Sequence, residues 1–143
     1  MTPSSQNSKP QRPPLQLRPA QPTDLNLIRN SWYSSYRGSS EIGKLVRLDV
    51  FDKGQNTLIE RLIKDFNPIV ATFPEVPDEI VAWTCREFER PVTHFVYVKH
   101  AYRRLGIGSA LIVGSQQHSH QTRPGELFFK RSGSLYNPFL LQE

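Results

Sequence analysis

Cysteine is almost missing from this chain. Cys85 is the only one, so no disulfide can form within it, which suits a reducing compartment. Long hydrophobic runs are missing as well: no apolar stretch approaches the ~18 residues that a membrane span requires. The opening Met1-Thr2-Pro3-Ser4-Ser5 lacks the apolar core of a signal peptide, so the expected location is the cytoplasm. Acidic residues are absent from the first stretch of chain, which holds Lys9, Arg12 and Arg18. That tail carries +3 of the net +5 and leaves +2 for everything else. Charge held in a tail is poor ground for nucleic-acid binding by the folded part, and no basic–aromatic surface pattern supports it. Internal repeats are absent at any period.

What is present fits one domain. The 143 residues are 37% hydrophobic with a mean hydropathy of -0.50, enough to bury a core without staples. Pro3, Pro10, Pro13 and Pro14, set among Ser, Gln and Asn, read as a disordered tail over residues 1–14, with one domain over 15–143. Leu15 to Arg18 reads as a strand. Thr23 can cap a helix on which Leu25, Ile28, Trp32 and Tyr36 recur at helical spacing, with Trp32 in the core. Ser39 or Ser40 can cap a turn through Ile42, Leu45 and Val46. Gly54 then interrupts, and Thr57-Leu58-Ile59-Glu60 forms a capping box that opens a second helix. The period changes after that. Residues 68–73, 79–86 and 93–98 read as three strands of an antiparallel meander. A third helix through Ala110, Leu111, Ile112 and Val113 ends at His118 and His120, and residues 126–130 read as a further strand. Helices and strands mix without the alternation of a doubly wound sheet, so the class is α+β.

The segment that carries chemistry runs from Tyr97 to Leu111: a strand, a basic turn with Arg103 and Arg104, then Gly106 and Gly108 two apart at a helix start. Glycines let backbone approach a ligand closely, and the unpaired N–H groups of a helix start attract anions. Arg103 and Arg104 add positive charge, so a diphosphate is the natural occupant. The two glycines can equally shape a plain strand-to-helix turn. A Rossmann fingerprint needs a third glycine where Leu111 stands, and a phosphate-binding Walker loop needs a lysine that is absent.

Val98, Arg103, Gly106 and Gly108 match the coenzyme motif of the GNAT N-acetyltransferases, which this chain resembles from about residue 15 to 131. Leu17-Arg18-Pro19-Ala20 and Pro22-Thr23-Asp24 resemble that family's first strand and helix. The resemblance implies a mixed, mostly antiparallel central sheet with helices on both faces. It implies acetyl-CoA as co-substrate and an amine acceptor that attacks the thioester directly. The pantetheine would lie in a splay between two strands, against Tyr97 and Val98. The diphosphate would sit on Arg103, Arg104, Leu105, Gly106, Ile107, Gly108 and Ser109.

The acceptor half departs from the family pattern. Some members carry a glutamate base at a place that falls here on Val92. His94 lies close by and can relay a proton. The family's acid is often a tyrosine on a last helix, and the thirteen residues after Lys130 are too few for that helix and two more strands. Tyr136 is the only tyrosine there and stands in as the candidate acid, with packing as its alternative role. Glu87 and Glu89 flank a turn and read as solvated. His118 and His120 have a spacing that suits a metal, but no third ligand is evident, so no metal site is expected. The Pro-rich start and the ending Tyr136-Asn137-Pro138-Phe139 resemble small GNAT-like proteins of tailed bacteriophages. That likeness implies an alternative: a degenerate module, associated with a virion, that binds a viral or host protein without turnover.

Overall fold

The computed structural model describes residues 14–142. The tail expected over residues 1–14 lies, apart from Pro14, outside the described residues. Six strands form one sheet there in chain order, β1 (Gln16–Pro19), β2 (Ile69–Thr72), β3 (Ala82–Glu87), β4 (Val92–Val98), β5 (Gln117–His118) and β6 (Leu135–Tyr136). The first four pair antiparallel, and β4–β5 and β5–β6 pair parallel.

Apolar side chains lie on both faces of β3, so the sheet is covered twice. One face carries α1 (Leu25–Ser39) and α3 (Leu48–Asp65), linked by the short α2 (Glu41–Leu45). Ile28, Trp32 and Tyr36, four residues apart, meet Phe51, Ile59, Leu62, Trp83 and Phe95 in one core. Trp32 stacks on Phe95 and Trp83 stacks on Phe95 in turn, with centroids 5.5 and 5.7 Å apart. The other face packs Ile107 and Leu111 of α4 (Ile107–Leu111) on Ala71, Val81 and Ala82. The expected α+β class with helices on both faces is what the chain forms.

Four local expectations are corrected. Gly54 does not interrupt: it lies inside α3 at an open position where a side chain would meet nothing. The buried stripe of Phe51, Gln55, Ile59 and Leu62 outweighs the ~1 kcal/mol that a mid-helix glycine costs. Thr57, expected to cap, sits mid-helix and donates to the Lys53 carbonyl. The third helix ends at Leu111, and His118 lies on β5 instead of at a helix end. Residues 126–130 are not a strand but part of α5 (Arg123–Arg131). Thr122 accepts from the Gly125 N–H and Pro124 stands in the first turn, both start signals that outweigh the β-rich Leu127-Phe128-Phe129. The helix expected to be missing after the fifth strand is therefore present.

Candidate functional site

The parallel pairing of β4 with β5 is brief: Val92 faces Gln117 and Thr93 faces His118. From Phe95 to Val98, β4 keeps its ladder with β3 while β5 turns away. The parting opens a cleft of about 590 Å³. One wall is Phe95, Val96, Tyr97 and Val98, and the other is His120, Thr122, Gly125, Phe128 and Phe129. Ser35 and Ser39 of α1 line it as well.

The basic turn closes this cleft. Residues 100–102 make a single 3-10 turn, Arg104 adopts a left-handed φ of 68°, and Gly106 caps α4 with φ 79°. A positive φ is strained for an arginine and easy for glycine. The first bond inside α4 runs from the Ala110 N–H to the Gly106 carbonyl, 3.2 Å. The N–H groups of Ile107, Gly108 and Ser109 therefore have no acceptor within the helix. Arg103 folds back, its Nε donating to the Val98 carbonyl at 2.8 Å and its guanidinium over the Tyr97 ring. Of the coenzyme residues read from the sequence, Tyr97, Val98, Arg103, Arg104, Gly106, Ile107, Gly108 and Ser109 line the cleft together. Leu105, half exposed at the tip of the turn, does not.

The two expected proton carriers lie elsewhere. Tyr136 is on the edge strand β6, outside the cleft wall, with its hydroxyl beside that of Tyr36. His94 is fully buried behind the wall. It is the extra residue of a β-bulge, since Cys85 faces Phe95 and Arg86 faces Thr93. The bulge turns His94 toward Glu87, whose Oε2 lies 2.8 Å from Nε2. Glu87, expected to be solvated, is in fact buried and held by Arg90 at 2.7 Å. The Arg90 guanidinium, and next His94, hold the Glu87 carboxyl below its usual range against the opposing effect of burial.

No local pattern in the sequence pairs Ser119 and His120, which follow β5, with His94. Ser119 Oγ lies 2.7 Å from His94 Nδ1 and 3.0 Å from His120 Nδ1. His120 Nε2 lies 3.1 Å from the Gln55 amide nitrogen on α3. Burial among Trp32, Tyr36 and Phe95, and next the nearby His94, push His120 down to about 3. Burial also lowers His94 and His118. The expectation of a polar helix end for His118 and His120 fails, because both are buried. No group of three His, Cys, Asp or Glu among the described residues is placed to hold a metal.

No protein-family model and no curated protein matches the sequence. Among solved structures, the chain is similar to a GCN5-related N-acetyltransferase (aminotransferase, class II) from Rhodopseudomonas palustris. The TM-score is 0.55 at 14% identity, over 87% of this chain and 84% of that one. It also aligns with a histone acetyltransferase HPA2 and related acetyltransferase from Corynebacterium glutamicum ATCC 13032, at TM-score 0.49 and 20% identity, over 69% and 68% of the two chains. The first of these likenesses shows the fold.

Proposed function

We propose that this chain, which has the fold of the GCN5-related N-acetyltransferases, transfers acetyl from acetyl-CoA to an amine by direct attack. The observation that carries the reading is the cleft where β4 and β5 part, closed by the basic turn. Its residues fit the donor. Arg103 and Arg104 bring two cations to the turn, and the N–H groups of Ile107, Gly108 and Ser109 suit diphosphate oxygens. The pantetheine amides would pair with the β4 backbone at Tyr97 and Val98, on the side that β5 leaves. The substrate supplies an activated thioester. The chain holds it, orients it, and carries a proton away from the amine.

The acceptor would approach from Ser35 and Ser39, beside Phe95 and His120. Tyr136 enters as a candidate acid only through Tyr36, whose ring packs on His120 with centroids 4.7 Å apart. Tyr136→Phe decides that role. A large fall in kcat with acetyl-CoA binding intact supports it, and an unchanged rate removes it. A buried single cysteine suits work in the cytoplasm.

The direct test is thermal melting with acetyl-CoA. At about 100 times Kd a ligand adds about 2.7 kcal/mol, which for a chain of this size raises Tm by about 5–10 °C. Arg103→Glu with Gly106→Asp should abolish the rise by repelling the diphosphate. No rise at millimolar acetyl-CoA would sink the reading and favour a module that binds a viral or host protein without turnover.

A further inference from the structure

We infer that Glu87, His94, Ser119 and His120 form a buried proton relay that serves the cleft, with His120 taking the acceptor's proton and Glu87 storing it. The inference rests on the acetyl-transfer reading and names the base for that reaction.

The four hydrogen bonds have one consistent direction, and each fixes the next. Glu87 is held ionised beside Arg90, so it can only accept, and His94 Nε2 must carry the hydrogen of their 2.8 Å bond. His94 is buried and neutral, so its Nδ1 is bare and accepts from the Ser119 hydroxyl. That uses the only hydrogen Ser119 has, so the 3.0 Å bond to His120 is donated by His120 Nδ1–H. His120 Nε2 is then the bare nitrogen, and the Gln55 amide donates to it. His120, which is among the residues lining the cleft, thus stands at one end of the chain with its Nε2 lone pair toward Gln55, and the Glu87 carboxylate stands at the other end.

In the transfer, the acceptor amine takes the place of the Gln55 amide as donor to His120 Nε2. As its nitrogen bonds to the thioester carbon, its N–H bond breaks and the proton goes to Nε2. The Nδ1 proton of His120 moves to Ser119, the Ser119 proton to His94 Nδ1, and the His94 Nε2 proton to Glu87. Both histidines exchange tautomers and neither becomes a cation. Burial that forbids a charged His120 therefore does not forbid the relay. When the C–S bond breaks, the same chain runs backwards and delivers one proton to the thiolate. Amine and thioester become amide and thiol, and the four residues return to their starting tautomers. On this relay the leaving thiolate takes its proton from His120 Nε2.

The charged and titratable groups around the chain are few. Arg90 faces Glu87 and His94, Arg61 of α3 faces His94, the Cys85 thiol of β3 faces Glu87, and the Tyr36 ring of α1 faces His120.

The relay is tested first without turnover, by nitrogen NMR of the histidine rings in the unmodified protein. The expected result is neutral rings from pH 8 to 6, with the hydrogen on Nε2 of His94 and on Nδ1 of His120. Either ring in the other tautomer, or charged at pH 7, overturns the relay. Turnover is the second test. Glu87→Gln and Ser119→Ala should lower kcat by about 100-fold with the acetyl-CoA melting shift and KM intact. Ser119→Thr, which keeps the hydroxyl, should restore most of the rate. The unmodified enzyme should show a solvent deuterium effect on kcat that curves with deuterium fraction, because several protons move together. Normal kcat in folded Glu87→Gln and Ser119→Ala, or no solvent effect while chemistry limits the rate, overturns the relay as the base. If acetyl-CoA binds and no amine is acetylated, the acetyl-transfer reading and the relay's catalytic use fall together, whatever the tautomers.

Discussion

The ring of Phe128 lies against the backbone of Gly108: a methyl group on Gly108 would stand 3.2 Å from Phe128 Cζ and 3.6 Å from Val98 Cγ2. This contact joins α5 to the basic turn across the cleft. A glycine whose spacing suggests room for a ligand is also making room for a side chain. Gly108→Ala should therefore cost about 1–2 kcal/mol by overpacking and weaken the acetyl-CoA melting shift. Adding Phe128→Leu should recover most of both, a coupling measurable by a double-mutant cycle. Strictly additive losses would mean that the ring is not what the methyl group meets.

Arg104 separates stability from binding. Its φ of 68° costs an arginine about 1–2 kcal/mol, whereas asparagine tolerates the left-handed region. Arg104→Asn should raise Tm in the absence of acetyl-CoA while reducing the shift that acetyl-CoA produces, because a cation at the turn is lost. Urea unfolding with and without acetyl-CoA measures both. A variant that is less stable and binds normally would contradict the placement of strain and charge at this residue.

The parts of this fold that were legible in the sequence are the local ones. The meander of β2, β3 and β4 shows in its period, and the turn shows in Arg103, Gly106 and Gly108. The turn's partner across the cleft was not legible. Leu127-Phe128-Phe129 has strand propensity, and the helix there depends on start signals at Thr122 and Pro124, five and three residues before Leu127. Glu87 reads as solvated because it and Glu89 flank a turn. Its burial follows from a bulge that brings His94 back onto it, and a bulge leaves no mark in a period-two pattern. Ser119 and His120 join that pair only through the parallel pairing of β5, a contact between segments some 25 residues apart. Local periodicity cannot report it.

Stability should fall as the pH drops below neutral, well before the carboxylates titrate. A buried histidine whose folded pKa lies below its unfolded value binds fewer protons in the folded state. Its stabilisation is complete above the unfolded value near 6.5, and is lost as pH falls toward the folded value, about 3 for His120. Between those limits one such histidine contributes a slope of about 1.4 kcal/mol per pH unit. His94 and His118 are shifted in the same direction by burial, so they steepen the slope below pH 6.5. The carboxyl of Glu87 is also lowered, but its contribution is complete above its unfolded value of about 4.3 and is lost only as pH falls below that. Two variants divide the curve. His120→Asn should flatten it between pH 6.5 and 5 by about one proton's slope. Glu87→Gln should leave that window nearly unchanged and flatten the curve only below about pH 4.5. Urea unfolding at pH 7, 6, 5 and 4 reads both. A stability that stays level from pH 7 to 5 would mean that the buried histidines titrate freely, and the close-packed rings around His120 would then have to open more readily than their contacts imply.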